Sequence, residues 1–392
     1  MITRHSVEKA AFPVMKLGEA VDFLDSRRRP VTESERKAGP YPYYGANGTQ
    51  GTIDTFIFDE SLILLAEDGG HFDEPDRGVA YRISGKTWVN NHAHVLRPKA
   101  YLDMAYLCRV LENYDLSPFV SGTTRGKLTK AGACEIPIPV PPLPEQRRIA
   151  DILDRADALR AKRRAALARL DELTQAIFIE MFGNHRQTPV TIGDRLEKSD
   201  TGWSWELLTD MGRLATGHTP DRKRSEYWGG HIPWITLTDI RKLDGSIATQ
   251  TSEGVTEEGI ENSSAVKLPP GTVCFSRTAS VGFVTVMGKE MATSQDFVNW
   301  VCGPKLDPIF LMHAFLLSRE RLRSLSTGST HKTIYFPTVE RFRVLVPPLD
   351  RQRSFSRSIE NISAIKSIYH RMASETDAFF ASLQDRAFRG AL

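Results

Sequence analysis

The sequence predicts an α+β protein built twice over: two mixed α/β domains separated by two long α-helices that form an antiparallel coiled coil, a pseudo-two-fold internal repeat. Three observations carry this. "VPPLPEQRRIADILD" from Val140 returns as "VPPLDRQRSFSRSIE" from Val346, an offset of 206 residues, and the match extends back without a gap to "GTTRGKL" at Gly122 and "GSTHKTI" at Gly328. Both copies continue into a seven-residue hydrophobic repeat in the same phase. The segments ahead of them are short strand-like runs broken by Gly, Pro and Asn.

Taken in order, residues 1–140 form the first domain, with runs such as "TFIFDESLILLAE". In 141–183, "IPIPV" meets a proline pair that cannot continue a β-ladder, and a helix follows. Its seam reads Ile149, Ile152, Ala156, Leu159, Arg163, Ala166, Leu170, Leu173 and Ile177. The polar, turn-rich stretch Phe182–Gly202 links to a second domain, 184–346, containing "GTVCFSRTASVGFVTVM". Residues 347–392 repeat the helix, with seam positions Phe355, Ser358, Ile362, Ile365, Tyr369, Met372, Thr376, Phe379 and Leu383. A helix of about 35 residues spans roughly 50 Å and cannot bury an apolar stripe alone. Two stripes of equal length and phase can cover each other.

Composition narrows the class. With 392 residues, 41% hydrophobic and 25% charged, the chain is globular in character and long enough for two or three domains. It shows no membrane-length apolar run and no signal-peptide order at its start, so the expected compartment is the cytoplasm. Cys108, Cys134, Cys274 and Cys302 are too scattered for a zinc ribbon or a disulfide framework and read as core residues. A net charge of +3 permits a polyanionic partner without requiring one. The local clusters "DSRRRP", "RAKRR" and "DRKRSE" fit a solvated face as well as a phosphate contact.

Catalytic readings find little support. The acid-x-Lys tripeptides Glu35-Arg36-Lys37 and Asp221-Arg222-Lys223 are no more numerous than chance gives at this composition. No Asn/Asp-Pro-Pro-aromatic signature of amino methylation is present, because the proline pairs precede leucine. "GTTRGKL" has three residues between Gly122 and Gly126 where a phosphate loop has four, and Leu128 stands where a hydroxyl would hold Mg²⁺. His92 and His94 could share a metal on one strand face, but no second ligand pair accompanies them, and a structural role suits them better.

"IPIPVPPLPEQRRIADILDRADALRAKRRAALARLDEL" resembles the helical region of the DNA-specificity subunits of type I restriction-modification systems. The C-terminal copy, with "DRQRSFSRSI" in place of "PEQRRIADIL", resembles the second such region. "GHTPDRKRSEYWGGHIPWITLTDI", "LPPGTVCFSRTASVGFV" and "TSQDF" resemble phrases of the family's target recognition domains, as do "YPYYGANGTQGTID" and "LILLAEDGG" in the first half. The resemblance covers essentially the whole chain. It implies a non-catalytic specificity subunit whose domains each read one half of a split, asymmetric duplex DNA target. It implies partners too: methyltransferase subunits, two per chain, and restriction-translocase subunits. S-adenosylmethionine, ATP and Mg²⁺ would belong to those partners, with no cofactor or metal on this chain. A two-module protein scaffold without DNA binding is the alternative.

Base edges are read by directed donors and acceptors, and phosphates by cations and amides. "SGTTRGK" offers Thr123, Thr124, Arg125 and Lys127, and its counterpart offers Ser329, Thr330, His331 and Lys332, although an ordinary turn has the same composition. Tyr43, Tyr44 and Asn47 of "YYGANG" suit a DNA face, and the tyrosines suit a core equally. In the second domain the candidates are His218, Thr219, Arg222, Lys223, Arg277, Ser280 and Gln295, whose amide can pair bidentately with adenine.

Overall fold

The computed structural model describes residues 3, 7, 11–72, 78–122, 126–183, 188–193, 202–328 and 332–392. They form two compact units: residues 1–166 with 369–392, and residues 167–368. The long helices are Leu143–Phe182 and Leu349–Arg389, 40 and 41 residues, each starting directly after its proline pair. Each therefore contributes one part to each unit.

In the first unit one of two four-stranded sheets runs in the order Val21–Phe23, Ala93–Pro98, Leu62–Ala66, Ala80–Ile83, all antiparallel. The run Leu62–Ala66 is buried at every position, which is why it is continuously apolar rather than alternating. Next to it in the same unit, Tyr41–Gly45 pairs parallel with Lys86–Val89 and antiparallel with Gly48–Ile53. Val14–Lys16 pairs with Pro137–Pro139, just ahead of the proline stop. Helix Met104–Glu112 is capped by Asp103, whose carboxylate accepts from the Tyr106 N–H.

The second unit has the same parts. Its larger sheet runs Gly212–Thr216, Phe297–Cys302, Thr272–Ser276, Val284–Met287, with Ile247–Ala248 added at the edge. Trp228–Ile235 pairs parallel with Ala292–Thr293 and antiparallel with Glu253–Val255. Phe342–Val346 precedes the second proline pair and lies between Val190–Ile192 and Ser204–Leu207. Helix Pro308–Leu317 is capped by Asp307.

The repeat reaches single hydrogen bonds. Gln146 is wholly buried; its Oε1 accepts from the Asp103 N–H at 2.7 Å, and its Nε2 donates to the Pro141 and Tyr101 carbonyls at 2.8 and 3.0 Å. Gln352, also wholly buried, accepts from the Asp307 N–H at 2.9 Å and donates to the Pro347 and Lys305 carbonyls at 2.7 and 3.2 Å. One amide in each unit thus fastens the start of a long helix to the capped end of a domain helix and to the carbonyl of the first proline.

Within each unit the two long helices run antiparallel. In the first, Arg148 reaches the Leu392 carbonyl, Arg160 pairs with Asp377 at 2.6 Å, and Arg163 donates to the Met372 carbonyl. In the second, Lys366 pairs with Asp171, and Phe178 meets Phe355 edge-on. Along the first helix a row of buried or half-buried positions, spaced alternately by four and three residues, reads Ile149, Leu153, Ala156, Arg160, Arg163, Leu167, Leu170, Thr174, Ile177 and Met181. Those of the second are Phe355, Ile359, Ile362, Lys366, Tyr369, Ala373, Thr376, Phe380, Leu383 and Ala387. The two sets match at the 206-residue offset throughout.

The predicted seam needs one correction. Alternate positions, among them Ile149, Leu170, Ile177, Ile362 and Leu383, fall in the contact row, and Ile152 is half-buried on its flank. The others are displaced by one residue. Leu159, Leu173, Ile365, Met372 and Phe379 are 46, 44, 42, 39 and 59% exposed, while Arg160, Thr174, Lys366, Ala373 and Phe380 turn inward. The helix ends decide this: Leu153, Phe178, Ile359 and Phe380 are pulled into the domain cores, and that rotation is fixed mid-helix by the Arg160–Asp377 and Lys366–Asp171 pairs and by Arg160 lying over the Phe380 ring.

Two outcomes follow for stability. Leu170→Asp places a carboxylate in the contact row and should cost about 2–3 kcal/mol, whereas Leu173→Asp on the exposed side should stay within about 0.5 kcal/mol; thermal unfolding of the pair reads the difference. Gln352→Leu strands a buried N–H and two carbonyls and should cost about 2–4 kcal/mol, measurable by denaturant titration.

Candidate nucleic-acid interface

In each unit an inner strand, Leu62–Ala66 or Thr272–Ser276, runs into a loop that pairs with the segment following the glycine-led loop. In the first unit, Asp68 bridges to Lys127 and the Leu128 N–H donates to the Glu67 carbonyl at 2.8 Å. In the second, Thr278 bridges to Thr333 and the Ile334 N–H donates to the Arg277 carbonyl at 2.9 Å. Both loops turn on a left-handed residue, Gly69 at φ 70° and Ala279 at φ 57°. Thr123, Thr124, Arg125, Ser329, Thr330 and His331 lie outside the described residues. Lys127 and Lys332 border them, and both are exposed.

Several second-domain candidates converge. Thr219 donates to Gln295 Oε1 at 2.9 Å, so the Gln295 Nε2, on an exposed residue, has no protein partner among the described residues. Arg277 donates to the Gln295 carbonyl at 2.9 Å and lies over the Phe336 ring; burial draws its guanidinium below the usual arginine range. His218 is exposed beside Thr219, and Lys223 is exposed on the 221–224 turn. Two candidates leave the outward-facing set. Ser280 is buried, its hydroxyl taken by Arg241, so it supports the loop from beneath. Arg222 pairs with Glu253 and lies over Trp228 and Trp234 at 3.7 and 4.7 Å, which commits its charge and its flat face.

The first unit presents a different chemistry. Tyr43 is only 2% exposed, with Arg36 over its ring at 3.9 Å and its hydroxyl facing the Val31 backbone. It is a core residue and cannot offer its ring to DNA. Tyr44 is half-buried against Tyr81. Asn47 is exposed and holds the Gly69 carbonyl at 3.0 Å. It lines a cleft of about 420 Å³ with Arg36, Gln50, Asp68, Asn90 and His92, in which Asn90 donates to Gln50 Oε1 at 3.0 Å. Sequence reasoning missed Arg36, Gln50 and Asn90, because chain separation hides their convergence.

Under this cleft, His94 is buried, with Nδ1 at 2.7 Å from Asp25 and Nε2 at 2.8 Å from the Leu128 carbonyl. Burial alone would raise the Asp25 carboxyl, but hydrogen bonds from His94 and the Val95 N–H bring it below the usual carboxylate range. Glu67 completes the group and takes Arg28 at 2.6 Å and Lys127 at 3.5 Å. Asp25, Glu67 and His94 are close enough to ligate a cation. Both ring nitrogens are engaged, however, and Glu67 faces two cations, so the group acts as a closed ion network that holds the loop at Lys127–Leu128.

Similarity to known proteins assigns the family. The profile of the Type I restriction modification DNA specificity domain matches twice, at residues 11–169 and 202–371. A protein of Haemophilus influenzae named as a type I restriction enzyme specificity subunit is 27% identical over 343 residues, 86% of this chain and 83% of its own length. The MjaIX specificity subunit of Methanocaldococcus jannaschii is 28% identical over 182 residues, 44% of this chain and 42% of its own. The solved S subunit of a type I restriction-modification system from M. genitalium shares the fold, with a TM-score of 0.61 at 12% identity over 97% of this chain and 96% of that one. With one domain profile filling both halves of a duplicated chain, the protein belongs to the DNA-specificity family of type I restriction-modification systems.

Proposed function

We propose that the chain, itself non-catalytic, reads an asymmetric bipartite duplex DNA target, one half through residues 1–140 and the other through 184–346. The observation that carries this reading is that the two units share strand order, helix cap and glutamine fastening, yet present unlike side chains at matching loops. Equivalent mountings suit two readers on one duplex, and unlike surfaces give unlike half-sites. Thr219, Arg277 and Gln295 in the second domain and Asn47 in the first are the described side chains best suited to base contact. The loops holding Thr123, Thr124 and Arg125, and Ser329, Thr330 and His331, remain part of the proposal. A pure scaffold would have no need of a free amide held rigid by Thr219.

The partners are methyltransferase subunits, joined in the larger complex by restriction-translocase subunits that hold S-adenosylmethionine, ATP and Mg²⁺ between them. The apolar residues left outside the helix seam support docking: Leu159 and Ile365, and Leu173 and Phe379, are pairs at the 206-residue offset, so each helix offers one equivalent row. Two rows suit two methyltransferase subunits per chain. No described helix is long and apolar enough to cross a membrane, and a duplex DNA target suits work in the cytoplasm.

Exchange of residues 1–140 for the matching domain of another family member, joined before Pro141, should yield a hybrid whose methylated sites combine the donor's half with the present second half. Mapping of methylated adenines reads this, and sites containing neither half would refute modular reading. Gln295→Ala should relax one position of one half-site at a discrimination cost of about 1–3 kcal/mol, leaving the other half unchanged. Met372→Glu combined with Phe379→Glu removes the row of the second helix only and should lower the copurifying methyltransferase from two subunits per chain to one while melting behaviour is kept.

A further inference from the structure

Three cations line one cleft of the second unit, and none is paired with an acid among the described residues. Arg241, Arg323 and Lys332 line a cleft of about 490 Å³ whose floor is Ala279, Ser280 and Val281. They come from three separate segments: helix Leu237–Lys242, helix Arg319–Arg323, and the segment paired with the 277–280 loop. All three are exposed, and none has a carboxylate partner among the described residues. The nearby carboxylate of Asp244 is already held by Arg319 at 2.6 Å.

The cleft is built rather than incidental. Arg241 donates through Nε to the buried Ser280 hydroxyl at 2.8 Å, and Arg323 donates through Nε to the Val281 carbonyl at 2.9 Å, so each guanidinium is fixed along one edge with a terminal nitrogen left over. The floor keeps its shape through the left-handed Ala279, whose N–H donates to the Lys332 carbonyl at 3.0 Å. Three cationic groups lining one cleft favour an anion, and guanidinium edges suit an oxyanion. The corresponding stretch of the first unit, Glu67-Asp68-Gly69-Gly70, carries carboxylates instead. Lys127, beside that stretch, is paired with Glu67 at 3.5 Å.

We propose that Arg241, Arg323 and Lys332 clamp one backbone phosphodiester of the DNA, positioning the duplex against the second domain without reading its sequence. This rests on the DNA reading above and adds a division of labour, with backbone grip in the second domain and an amide-lined cleft in the first.

The test uses the full chain with its methyltransferase subunits and fluorescence anisotropy over a salt series, on a duplex carrying the mapped target and on a random duplex. Lys332→Ala and Arg323→Gln should each weaken both duplexes several-fold and alike, and each should lower the slope of log affinity against log salt by about 1. Arg323→Lys should restore most of the slope. Lys332 holds no ion pair among the described residues, so Lys332→Ala should melt like the parent protein and keep the test independent of folding. An unchanged slope in both variants beside a steep parental slope overturns the clamp and leaves DNA recognition standing. Loss confined to one base preference makes the cleft a base reader and also overturns it. Thermal stabilisation by inorganic phosphate, with duplex binding unaltered in the variants, reassigns the cleft to a free anion. A parent complex with no salt-dependent duplex binding fails the DNA reading itself.

Discussion

A buried side-chain amide governs how this molecule is put together. Gln146 and Gln352 each satisfy one N–H and two carbonyls that the proline stop and the helix cap would otherwise leave stranded in an apolar interior. An unsatisfied buried polar group costs about 1–3 kcal/mol, so the junction closes in a single way. That closure fixes where the long helix leaves its domain, and the direction of the helix decides which of its faces can meet the other helix. Because all the partners are main-chain groups, the fastening is indifferent to most side chains of the domain it holds. The two domains have diverged around an unchanged joint.

Much of this was legible in the sequence, and the failures are instructive. The repeat, the strand-to-proline-to-helix transition and the shared phase of the two helices are one-dimensional signals, written in spacing. The heptad reading erred by one residue at alternate positions because Leu159, Leu173, Ile365, Met372 and Phe379 are apolar and the true contact positions include Arg160, Thr174 and Lys366. Hydrophobicity ranks residues by transfer out of water, and it has no term for an arginine whose stem packs inward while its head meets Asp377. The misplacement of Tyr43 has a similar origin. In a turn-rich phrase an aromatic serves a core or a surface equally well, and only the strand pairing shows which.

The surface chemistry was less legible still. Arg36, Gln50 and Asn90, and likewise Arg241 and Arg323, are scattered in the chain and are brought together only by sheet order and helix placement. The backbone turn beside the cleft of the second unit was no easier to read. At the same turn the first unit uses Gly69 and the second uses Ala279, a residue for which a left-handed backbone costs about 1–2 kcal/mol. A strained alanine persists there because the surrounding bonds to Lys332 and Arg241 over-determine the loop.

The outward apolar row on the long helices bears on how such a chain can exist in a cell. A surface carrying Phe379 at 59% exposure, with Met372 and Leu159 also turned outward in the same unit, is adhesive until something covers it. On the docking proposed above, a copy made without its partner subunits leaves this row bare and is prone to self-association. The same exposure would then discourage a surplus of free sequence-reading subunit, which could occupy DNA without acting on it.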